Sequence, residues 1–155
     1  MKVCCGNIKI FHMLDCKSIA TPMDTNLNLL YDESSYLVDV NQYIHIIGLL
    51  MYLTNTRPDI CFVVNTLSQY LVKPRHVQLI VAKHVMRYLE GTIDFGLYYD
   101  RDHDYRLYGY RDLDWEGSAT DRKSTSGEHY CLGSAMISWF SKKYCSVALS
   151  TAEAE

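Results

Sequence analysis

The chain has 155 residues, 48% of them hydrophobic and 21% charged, with a formal net charge of −3 at pH 7. That is ordinary globular material with room for one domain or parts of two, and it excludes a disordered chain. No apolar run reaches the roughly 18 residues a membrane span requires, and the opening MKVCCGNIKIF lacks the apolar core and small-residue cleavage site of a secretion signal. The cysteines at 4, 5, 16, 61, 131 and 145 form no C-x-x-C pair and have no His at zinc-finger spacing, so they read as reduced thiols of an intracellular protein.

Charge is unevenly spread. Residues 56–93 carry five Lys/Arg against two Asp/Glu, whereas 94–155 carry seven against eleven. A basic middle beside an acidic end suits a protein that holds a phosphate backbone and gathers metal at one point.

In chain order, residues 40–54 (VNQYIHIIGLLMYLT) are apolar on nearly every face, as in a helix buried in a core. TRPDI then opens a second helix, with Pro58 at the first helical position and Asp59 near the positive end of the dipole. Pro74 opens a third, in which Val77, Ile80, Val81, His84, Val85, Tyr88 and Leu89 form one inward stripe, and Gly91 closes it. On its outer face His76, Lys83 and Arg87 line up as a stripe able to touch phosphates, while His84 reads as a core histidine.

After Gly91 the pattern becomes short, aromatic and β-branched. FGLYYD, YRLYGYRDLDW, EHYCLG and AMISWFSK read as successive strands, and the S-x-x-E of Ser150 and Glu153 caps a final helix. Helices followed by strands imply an α+β fold. Within the second strand candidate, Asp112, Asp114 and Glu116 alternate, so they project from one face while Leu113 and Trp115 point the other way. Three acids on one face read either as a solvated strand end or as a site that a divalent metal would neutralise, which would suggest metal-assisted phosphodiester chemistry. Trp115 and Trp139 read as packing in a shared core. Arg122 and Lys123, in a turn beside the strand edge, are candidates for a backbone phosphate.

The stretches TPMDTNLNLL, LMYLTNTRPDICFVVNTLSQYLVKP, AKHVMRYLEGT, DRKSTSG and SVALSTAEAE, in this order and spacing, resemble the Pol polyprotein of copia-type (Ty1/copia) retrotransposons from about residue 11 onward. The resemblance implies the thumb and connection end of a reverse transcriptase over 1–92, a linker or strand over 93–104, and the start of a ribonuclease H-like domain over 105–155. It implies that Asp112, in YRDLDWEG, is a metal-binding catalytic carboxylate. It also implies a catalytic Glu in STAEAE. Glu155 takes that role, since Glu153 already serves the cap, and Asp114 is an auxiliary metal ligand. The implied cofactor is Mg²⁺ and the implied partner an RNA–DNA hybrid, told from DNA by its 2′-hydroxyls.

Departures from the family pattern temper this. No Asp-Asp pair occurs in the 155 residues, so the polymerase palm motif is not among them. Glu155 is the last residue, so the family's later metal-binding aspartates are not in the chain either. Arg111, Leu113 and Glu116 replace small residues. Glu128 and His129 interrupt an apolar strand, and Arg111 would sit unpaired in a core. A decayed genomic copy without turnover accounts for these features. The alternative is a non-catalytic nucleic-acid-binding or scaffold module that uses the basic helix and the tyrosines.

Overall fold

A computed structural model describes residues 17–23, 35–99, 105–114 and 125–143. Over these residues the fold is α+β, with helices first and a three-stranded antiparallel sheet after them. The chain divides into two compact units, Met1–Gly96 and Leu97–Glu155. None of the described helices is long and apolar enough to cross a membrane.

The first unit contains α1 (Val40–Leu53), a single 3₁₀ turn (Pro58–Ile60), α2 (Cys61–Ser68) and α3 (His76–Gly91). Asp39 caps α1, its carboxylate accepting from the Asn41 N–H at 2.9 Å, which satisfies one of the orphan donors of the first turn. The helix was expected to be buried all round, but it buries one side only. Tyr43, Ile46, Ile47, Leu50 and Leu53 enter the core, while Ile44, Met51 and Tyr52 face solvent. Among the described residues, the other two helices pack against its buried side. Tyr43 is fully buried and donates its hydroxyl to the Leu67 carbonyl at 2.9 Å, linking α1 to α2. Burial, reinforced by Tyr70, pushes its phenol well above the ordinary range.

Helix α3 starts at His76 instead of at Pro74. The backbone of Pro74 to His76 is already engaged, because the Pro74 carbonyl accepts from Val38 N–H and His76 N–H donates to Tyr36 O. The Tyr36 and His76 rings stack at 4.5 Å beside this seam. Gln78 then accepts from the Arg75 N–H at 2.7 Å, which draws that polar side chain under the surface. As a result the buried arc of α3 differs from the stripe read along the chain. Val81, Val85, Tyr88 and Leu89 are inside as expected, Gln78, Leu79, Ala82 and Met86 join them, and Ile80 is outside. His84 is not in the core. It lies at the rim, with Nε2 3.0 Å from the Thr21 carbonyl.

One polar cluster closes this unit. Arg57, 3% exposed, forms a bidentate pair with Asp59, Nε to Oδ1 at 3.0 Å and Nη2 to Oδ2 at 2.7 Å. It also donates to the Thr92 carbonyl at 2.9 Å and the Thr92 hydroxyl at 2.7 Å, just beyond α3. Tyr88 donates to Asp59 at 2.7 Å, and the guanidinium carbon lies 5.5 Å from the Tyr88 ring centre. Burial alone would raise the Asp59 pKa, but the hydrogen bonds from Arg57 and Tyr88 outweigh it and hold the carboxyl below the usual range. For Arg57, burial opposes the charge and Asp59 more than restores it.

FGLYYD, which spans the division between the two units, does not form a strand over its described residues, 95–99. A strand exists only where its backbone groups are paired, and here the side-chain hydroxyl of Tyr99 reaches the Met136 carbonyl instead. The sheet comprises β1 (Leu107–Asp114), β2 (Thr125–Leu132) and β3 (Ala135–Lys143), in the order β1-β2-β3. A tight turn at Gly133, with φ of 60°, joins β2 to β3. The β1–β2 register sets Arg111 opposite Glu128 and Tyr110 opposite His129. Arg111 is therefore not stranded in a core. It is 42% exposed, and its Nε meets Glu128 Oε1 at 3.1 Å. Tyr130 donates to the other oxygen of Glu128 at 3.3 Å, and the rings of Tyr110 and His129 stack at 4.8 Å. Each interrupting residue of β2 thus has its partner on β1.

Three outcomes follow for the purified chain under urea. Val81→Asp should cost more than about 2 kcal/mol, because it buries an unpaired charge at a position with no solvent exposure. Because the Asp59 pKa is lower folded than unfolded, where it is about 3.9, its contribution is complete above that pH and is lost as pH falls through the folded value. Asp59→Asn should then destabilise at pH 7 and converge on the parent as acid protonates Asp59. In a double-mutant cycle, Arg111 and Glu128 should couple by about 0.5–1 kcal/mol, the modest size reflecting a partly exposed pair.

Candidate functional site

β1 is an outer strand of the sheet formed by the described residues, and it presents the carboxylate to which the sequence pointed. Asp112 is exposed and lies opposite Gly127 on β2. A side chain at Gly127 would meet nothing within 4 Å, so the surface beside Asp112 is open. Asp114 ends β1 opposite Thr125. The neighbouring row on the Asp112 face is aromatic, with Tyr110, His129 and Trp139 in register across all three strands. Trp139 therefore shares the Asp112 face, which corrects its expected place on the opposite, Leu113 side.

Glu155, Glu153, Glu116, Trp115, Arg122 and Lys123 lie outside the described residues. The expected approach of Glu155 to Asp112 is thus neither made nor refused by the structure. Among the described residues no group of three or more His, Cys, Asp or Glu is placed to hold a metal ion. The oxygen donors of Asp112 suit Mg²⁺, which takes one or two carboxylates and completes its shell with water and phosphate oxygens.

The other candidates lie on α3. Lys83 is exposed, and Arg87 is half-buried with its Nε donating to the Lys17 carbonyl at 2.8 Å. These two sit one helical turn apart on the same face. His76, expected beside them, is occupied in its stack on Tyr36.

The Arg57 cluster is what residue-by-residue reading missed. It was open to inspection: Arg57 is the one Lys or Arg between positions 17 and 73, and it lies two residues before an acid in an otherwise apolar region. An isolated cation of that kind must be paired if it is buried.

Comparison with known proteins gives the chain its context. It is 42% identical over 144 residues to a retrovirus-related Pol polyprotein from transposon RE2 of Arabidopsis thaliana, covering 93% of this chain and 10% of that polyprotein. It is 35% identical over 153 residues to the corresponding polyprotein from transposon TNT 1-94 of Nicotiana tabacum, covering 94% of this chain and 11% of the relative. Over 114 residues it is 41% identical to the secreted RxLR effector protein 161 of Plasmopara viticola, covering 73% of this chain and 80% of that protein. No family model matches the chain, and no solved structure matches it. The chain spans about a tenth of the length of the transposon polyproteins it matches. Over nearly its whole length the chain is thus homologous to a segment of the retrovirus-related Pol polyproteins of copia-type transposons.

Proposed function

We propose that this segment of Pol is the junction at which the helical end of a reverse transcriptase passes into ribonuclease H. Its ancestral role is RNA-directed DNA synthesis with degradation of the RNA strand of RNA–DNA hybrids. The observation that supports the reading most is Asp112, an exposed carboxylate on the first strand of an antiparallel sheet that follows a helical unit. In this reading Asp112 and Glu155, with Asp114 beside them, are the residues that would hold Mg²⁺. The ion would supply an activated water and stabilise the leaving oxygen.

The 155 residues by themselves do not hydrolyse the hybrid in this account. Two-metal chemistry needs enough carboxylate to fix both ions, and a misplacement of about 1 Å already costs about a hundredfold in rate. A second reading, a nucleic-acid-binding module without catalysis, draws on the exposed Lys83 and the open tyrosines Tyr108 and Tyr110.

Purified chain, given millimolar Mg²⁺ or Mn²⁺ and an RNA–DNA hybrid, should show no cleavage above background. Cleavage that disappears in the Asp112→Asn, Glu155→Gln variant would overturn the inactivity claim. The junction reading is tested separately by placing this segment in the equivalent position of a full-length relative. That chimera should degrade the RNA strand and lose the activity with Asp112→Asn; degradation indifferent to Asp112 would refute the assignment.

A further inference from the structure

The outer face of α3 carries more than the two cations read from the sequence. Residues 17–23 lie against it as a strap, fixed at four points. Arg87 Nε donates to the Lys17 carbonyl at 2.8 Å, and His84 Nε2 lies 3.0 Å from the Thr21 carbonyl. Gly91 lets Ser18 approach so closely that a Cβ at position 91 would stand 2.7 Å from the Ser18 Cβ. Met23 packs against the hydrophobic core. The strap therefore brings a third cation, Lys17, to the ridge formed by Lys83 and Arg87. Lys17 and Lys83 are both exposed, and among the described residues neither has a carboxylate partner. Glu90, one turn beyond Arg87, is half-buried, with one carboxylate oxygen shielded from solvent. Arg87 commits one N–H to the strap and, with five in all, keeps others for a ligand.

We propose that Lys17, Lys83 and Arg87 form a phosphate-backbone contact site for nucleic acid, assembled by the strap from two separate parts of the chain. The inference rests on the nucleic-acid reading above and deepens it by naming the surface. Cations without a carboxylate partner among the described residues, two of them joined by a backbone contact, are complementary to a regular row of phosphates. Because they touch backbone and not base edges, the site should be indifferent to sequence and sensitive to salt. The latch residues Arg87 and His84 hold the strap, so the test leaves them intact and uses the two exposed lysines.

The experiment is fluorescence anisotropy of a labelled RNA–DNA hybrid with the full chain across a series of salt concentrations. Lys17→Gln and Lys83→Gln should each reduce the slope of log affinity against log salt by about one. Lys73→Gln, an exposed lysine elsewhere in the same unit, should leave it unchanged. If the parent binds with a salt-dependent slope that neither lysine alters, or that Lys73→Gln alters equally, the site is refuted while nucleic-acid binding stands. If the parent shows no binding even at low salt, both fall. Binding to anionic phospholipid vesicles but not to the hybrid would also overturn the proposal.

Discussion

The helical unit depends on a buried charge that is fully answered. Arg57 is taken out of water, which is costly, and it is tolerated because Asp59 meets it with two parallel hydrogen bonds while Thr92 takes two more. The partners come from the turn before α2 and from the residue after α3, so the interaction ties the start of one helix to the end of another across 35 residues of chain. Apolar burial supplies the bulk of the stability and would be satisfied by several helix arrangements. A bidentate ion pair with defined geometry is satisfied by very few. Tyr88 extends the constraint into α3 itself, since its hydroxyl reaches Asp59 while its ring lies against the guanidinium.

The sheet shows complementarity of a different kind. Arg111, Glu128 and His129 look like damage when the sequence is set against the family pattern one position at a time. In the β1–β2 register they answer one another, with Glu128 accepting from Arg111 and from Tyr130 and with His129 stacked on Tyr110. Cross-strand pairs of this kind fix register, and register decides which face carries Asp112. Decay by unrelated substitutions does not require such matching, so these residues do not themselves argue for a broken fold.

Much of the fold was legible from periodicity. Three helices, then strands, and the inward facing of Val81 and Val85 follow from apolar spacing alone. What periodicity could not show was tertiary competition for backbone groups. Pro74 failed to start α3 because its carbonyl was needed by Val38, and FGLYYD failed to become a strand because a sequence pattern does not reveal whether a pairing partner exists. Of the candidate site, the exposed face of Asp112 was readable from alternation, whereas the capture of His84 and Arg87 by the strap joins residues more than 60 positions apart and leaves no local signal. Trp139 was misplaced for the same reason, since its face is set by pairing with β2.

The proposed contact with nucleic acid runs through the helical unit, by way of Lys17, Lys83 and Arg87. Hydrogen–deuterium exchange of the full chain, read by peptide with and without an RNA–DNA hybrid at low salt, tests it most directly. The account predicts that hybrid slows exchange in the strap around residues 17–23 and in the peptides that cover α3, with little change in β2 and β3. Slowing confined to the sheet, or no change anywhere, would contradict it.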